Sequence, residues 1–150
     1  MARSKKAKHI ANVLNSKQPK ADMKSSFYGL NVSFSFRKYD ADAPWSASSD
    51  RKPSVDNVFK NLRGCEELIW SAVVQASGGK KHGTNSHYIP ISTLSKEAIR
   101  RAKGINLDED ELFSLRLQNT VRLWGIIEQK TGCFYIIWFD PEHKVYPVAK

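Results

Sequence analysis

Three runs toward the end of the chain, ELFSLRL, VRLWGII and CFYIIWFD, constrain its fold more than any other feature. Each is apolar and rich in β-branched and aromatic side chains, which fit a pleated, half-buried surface. None approaches the about 18–20 apolar residues that a membrane-spanning helix needs. The connections QNT and QKTG have turn chemistry. The spacing therefore predicts an antiparallel meander, with HKVYPV as a further short strand after the DPE turn. FYGLNVSFSFRKY alternates Val32, Phe34 and Phe36 against Asn31, Ser33 and Ser35, the period of a half-buried strand. HYIPIS at 87–92 predicts a short strand that Pro90 restricts to an edge or an end.

Helical signals come before the meander. Ser54 is placed as an N-cap with Asp56 in the first turn, and Val55, Val58, Phe59, Leu62, Ile69 and Val73 keep helical spacing to about Ala76. Gly64 is the weak point of that helix. Ser95 caps KEAIRRAK, which Gly104 is expected to end as a left-handed C′ residue. Helices first and strands later give an α+β fold, a C-terminal antiparallel β-meander packed with two helices. The 150 residues suit one domain, read as a basic arm over 1–26 and an α+β domain over 27–150.

The net charge is +9, and residues 1–24 hold seven cations against Asp22 alone. Such a field favours polyanions such as RNA, DNA or the ribosome. RNA or the ribosome is the expected partner, and the lack of a long apolar run leaves no expectation of a membrane. Arg3, Lys5, Lys6 and Lys8 in the arm, Lys80 and Lys81 in the glycine-rich 77–85 loop, and Lys144 are the candidate nucleic-acid contacts. The alternative reading of this charge is that it keeps a small protein in solution. Cys65 and Cys133 form no CxxC and no disulfide framework, which predicts reduced thiols and a cytoplasmic location. Nothing calls for a cofactor: P-loop, GxGxxG, HExxH and GxSxG patterns are absent, and Asp140, Glu142 and His143 lack a second cluster that would complete a metal site.

Two constellations could carry chemistry. In FDPEHKVY, the end of an apolar strand delivers Asp140 and a proline turn presents His143, with Tyr146 three residues on. A histidine there can serve as general acid or base, with Asp140 accepting its other ring N–H; alternatively, Asp140 simply opens the turn. In the second, a three-residue QNT loop would pair residue 117 with 121 and Arg116 with Arg122, putting both guanidiniums on one face. Neighbouring guanidiniums repel unless an anion lies between them, and a phosphate satisfies both; pairing with acids at 108–111 or solvation is the alternative. His87, after the basic loop, is a second acid/base candidate or an ordinary surface histidine.

The stretch LRLQNTVRLWGIIEQKTGCFYIIWFDPEHKVY, with Arg122, the strand FYIIWF and the run His143-Lys144-Val145-Tyr146, resembles the C-terminal half of RelE-type bacterial toxins. That resemblance implies a compact α+β ribonuclease-like fold, metal-independent mRNA cleavage, in that family often on the ribosome, and neutralisation by an antitoxin protein. Independently of the resemblance, cleavage of RNA by its own 2′-hydroxyl needs a base, an acid and cations for the phosphate. His143 is the candidate acid or base, with His87 or Tyr146 as the opposite partner. Arg122 with Arg116 would hold the phosphate, and Asp140 would orient His143. The competing expectation is a non-catalytic basic module that binds nucleic acid or the ribosome.

Overall fold

A computed structural model describes residues 26–47, 53–75, 86–118 and 120–147. The expected α+β architecture is present, built on a five-stranded mixed sheet. Its strands are β1 (Ser33–Ser35), β2 (His87–Pro90), β3 (Glu111–Gln118), β4 (Val121–Ile127) and β5 (Cys133–Asp140), in the spatial order β1-β5-β4-β3-β2. β2 to β5 form the predicted antiparallel meander, and β1 pairs parallel with β5. Among the described residues, no helix is long and apolar enough to cross a membrane.

The central strands are apolar on both sides because both faces of the sheet are covered. On one face Phe113, Leu115, Leu123, Phe134 and Ile136 pack with Phe27, Leu62, Trp70 and Val73. On the other, Leu112, Trp124, Trp138 and Ile89 pack with Trp45, Leu94, Ala98, Ala102 and Val145. Gly125 sits at a register shift between β4 and β5, and a Cβ there would run into the Tyr135 carbonyl, so only glycine lets the strands close.

Among the described residues, four α-helical segments flank the sheet: α1 (Pro44–Ala47), α2 (Val55–Glu66), α3 (Trp70–Gln75) and α4 (Lys96–Gly104). Ser54 caps α2 through the Asn57 N–H at 3.1 Å, as expected. The single helix predicted from Val55 to about Ala76 is in fact two. Its break comes at 67–69 rather than at Gly64, because the Leu68 carbonyl and the Trp70 N–H bond to Val32 and Leu30. Trp70 then restarts the helix fully buried, its indole N–H donating to the Gly132 carbonyl at 2.7 Å.

Ser95 caps α4 through the Ala98 N–H. Gly104 stays helical, contrary to expectation, and Asn106 takes the left-handed conformation at φ 55°, which asparagine tolerates better than most residues. Two strand expectations also change. HYIPIS is a strand only to Pro90, and Ile91–Thr93 is a 3₁₀ turn. HKVYPV is not a strand, because the Asp140 carboxylate takes the Lys144 and Val145 N–H groups that a ladder would use. The FYGLNVSFSFRKY strand shortens to β1, leaving Phe36 59% exposed.

Candidate functional site

The hairpin between β3 and β4 pairs Arg116 with Arg122, as the sequence predicts. It does so through an irregularity: Gln118, not Leu117, opposes Val121. Arg122 in turn opposes Asp140 on β5. Alternation along each strand puts Arg116, Arg122 and Asp140 on the sheet face that holds Trp124 and Trp138. Three charged residues thus lie in a row across three adjacent strands. The Arg116 N–H extends the row by donating to Ser86 Oγ at 3.1 Å, next to His87.

Burial sets the electrostatics of this row. Arg122 is only 8% exposed. Desolvation, together with the neighbouring Arg116, pulls its pKa down to about 10 against the opposing pull of Asp140, so it remains a cation at neutral pH. Its Nη1 donates to the Val121 carbonyl at 3.2 Å. Asp140 is fully buried. Desolvation raises its pKa, while N–H groups from Val145, Lys144 and Trp124 and the charge of His143 act the other way.

Beyond Asp140 the chain makes a tight turn. Asp140 Oδ1 accepts the Lys144 N–H at 2.8 Å, and Oδ2 accepts the Val145 N–H at 2.9 Å and the Trp124 indole N–H at 3.3 Å. The Val145 carbonyl then accepts the Ser95 N–H at the start of α4. Held on both sides, His143 occupies the left-handed region at φ 59°, an uncommon conformation for a non-glycine residue outside a glycine turn. Thr120 adds a tie from the arginine hairpin, its hydroxyl donating to the Pro141 carbonyl at 2.8 Å.

The expected hydrogen bond from the His143 ring to Asp140 does not form. Both Asp140 oxygens are taken by backbone and indole donors, and His143 Nδ1 is buried without a partner among the described residues. Burial and Arg122 lower the His143 pKa, against smaller upward pulls from its own backbone, Asp140 and the Tyr146 backbone. The ring is therefore predominantly neutral at pH 7 and able to accept a proton.

The other candidates are dispersed. His87 is exposed on β2 and opposes Ser114. β2 lies three strand spacings, about 14 Å, from β5, so His87 and His143 flank opposite ends of the row. Tyr146 packs partly buried against the Trp124 side of the core. Lys144 is exposed and pairs with Glu142 at 3.2 Å. Arg3, Lys5, Lys6, Lys8, Lys80 and Lys81 lie outside the described residues, as does the arm apart from Ser26. A 710 Å³ cleft near Asp40 and Arg101 and a 320 Å³ apolar groove near Phe59 and Phe139 are both open; neither is lined by Arg116, Arg122, His87 or His143. Among the described residues, no group of three metal-ligating side chains occurs.

Sequence reasoning missed Thr120 and the Trp124 indole. The QNT connection was legible only as a turn, and nothing in its three letters announces a bond across to residue 141.

No family model matches the chain, and no solved structure matches it. It is 32% identical over 76 residues to the DNA-binding protein REB1 of Kluyveromyces lactis. The match covers 51% of this chain but only 13% of that protein's length.

Proposed function

We propose that this protein grips the phosphodiester backbone of RNA at the Arg116–Arg122 row and cleaves it with His143. The observation that carries this reading is the cross-strand guanidinium pair beside a histidine that burial keeps neutral. Two adjacent cations on one face favour an anion with several oxygens, which a phosphate supplies.

The chemistry needs no group beyond the chain and the RNA. The 2′-hydroxyl gives its proton to Nε2 of His143, the nitrogen left for this role because Nδ1 is buried. The 2′-oxygen then bonds to phosphorus, and the P–O5′ bond breaks. Arg116 and Arg122 stabilise the charge that builds on the phosphoryl oxygens. The departing 5′-oxygen takes a proton from Tyr146 or water, leaving a 2′,3′-cyclic phosphate and a 5′-hydroxyl. Asp140 acts by holding the turn that carries His143.

Single-turnover cleavage of an unstructured RNA and of ribosome-bound message, both in EDTA, tests this assignment. Wild-type protein should yield cyclic-phosphate ends, and His143→Ala should slow the reaction about 10²–10⁴-fold. A His143→Ala variant that cuts at the wild-type rate removes the histidine from the mechanism. The second reading, a binding module without turnover, is favoured by the DNA-binding relative and the +9 charge. It predicts affinity that falls steeply with salt and no cleavage by any variant.

A further inference from the structure

We infer that Thr120 is a positioning residue for the proposed cleavage: its hydroxyl latches the hairpin that carries the two arginines to the turn that carries His143. The inference rests on the cleavage reading and adds to it a group that touches neither the phosphate nor the transferred proton.

The need for a latch follows from how the site is assembled. Arg116 and Arg122 sit at the tip of the β3–β4 hairpin, where the ladder is already irregular between residues 116 and 118. His143 sits beyond the end of β5, in a turn that belongs to no ladder. Asp140 fixes the far half of that turn through the Lys144 and Val145 N–H groups. Those bonds are local to residues 140–145, and Trp124, the third donor to Asp140, lies on β4 below the arginine row. The β4–β5 ladder pairs Arg122 with Asp140 and ends there. Past it, the hairpin tip meets the near half of the turn through the 2.8 Å bond from Thr120 Oγ1 to the Pro141 carbonyl. Pro141 is itself buried, so its carbonyl would otherwise be poorly placed to find water. A bond at that point makes guanidiniums and imidazole move as one unit. Geometry of this kind acts on rate more than on affinity, because a small misplacement of a reacting group weakens the transition state while the arginines still hold the backbone.

Thr120→Val removes the hydroxyl and keeps the shape; Thr120→Ser keeps the hydroxyl and removes a methyl. For Thr120→Val, the inference predicts an about ten- to hundredfold fall in kcat, KM within about twofold of wild type, and faster amide exchange at Lys144 and Val145. Thr120→Ser should restore both rate and exchange. Wild-type rate in Thr120→Val would overturn the latch and leave the cleavage reading in place. If the wild-type protein itself does not cleave RNA, that reading fails, and the latch is judged by exchange alone. Equal protection of the two amides in Thr120→Val and wild type would then overturn it.

Discussion

Two buried carboxylates, Asp40 and Asp140, lie under the same sheet face and are held in opposite ways. Each accepts an indole N–H, from Trp138 and Trp124, which are themselves cross-strand partners. Asp40 is gripped by Arg101 at 2.6 and 2.8 Å, and the guanidinium holds its pKa below the ordinary carboxylate range. Asp140 meets no such fork. Backbone N–H groups satisfy it, burial raises its pKa, and the nearest cation across the ladder, Arg122, is itself depressed by desolvation. A paired carboxylate closes one end of the face as structure. At the other end Asp140 is held by backbone and indole donors, with Arg122 opposite it in the ladder, and this is the end to which the proposed anion site is assigned.

Four variants or conditions would break or sharpen that contrast. The largest effect is expected for Arg122→Met, which should slow RNA cleavage about 10²–10³-fold while costing only about 1–2 kcal/mol in urea, because relief of a desolvated charge offsets much of the lost attraction to Asp140. A loss of stability matching the loss of activity would mean that Arg122 belongs to the core. Next, Asp40→Asn should cost about 2–3 kcal/mol of unfolding free energy, since the buried Trp138 N–H would face an amide that both donates and accepts. Cleavage per folded molecule should not change; a slower rate there would tie the Asp40 end to the site.

Asp140→Asn should be milder in urea, about 1 kcal/mol, because removing a buried charge offsets part of the lost hydrogen bonding. It should nonetheless slow cleavage about tenfold by loosening the turn. An equal stability cost in the two asparagine variants would erase the distinction between the carboxylates.

The smallest effect is in pH dependence, and there the signs differ. Asp40 has a depressed folded pKa, so its stabilisation is present above the unfolded carboxyl value and is lost as pH falls through the folded one. Asp140 has a raised folded pKa, so its contribution declines as pH climbs from the unfolded value to the folded one. Urea titrations of wild type and the two asparagine variants across the acid range should show opposite slopes of the stability difference. The depressed His143 pKa also places the acid limb of the cleavage profile below the ordinary histidine value, and a limb at or above that value would contradict a buried, neutral base.

The sheet was readable because β3, β4 and β5 each repeat apolar residues on both faces and are separated by recognisable turns. The Arg116–Arg122 pair was expected from a three-residue loop, but Gln118 opposes Val121, and it is the irregularity between residues 116 and 118 that restores the pair. What escaped was decided by partners distant in sequence. Ile69 looks like one more helical apolar residue until Asn31 bridges to it. Residues 143–148 look like a strand until the Asp140 carboxylate claims two of their donors. Asp40 reads as loop punctuation, and only folding sets it against Arg101, 61 residues away. For the same reason the link between Asp140 and His143 was placed on the ring, whereas it runs through the backbone.

The most direct test maps a non-cleavable 2′-deoxy oligonucleotide onto the full chain by NMR. Shifts should concentrate at Arg116, Arg122, His143 and Lys144 and leave Asp42, Arg101 and Asn106 in place. Shifts at the Asp40 end, or binding that leaves the arginine row unmoved, would contradict the assignment.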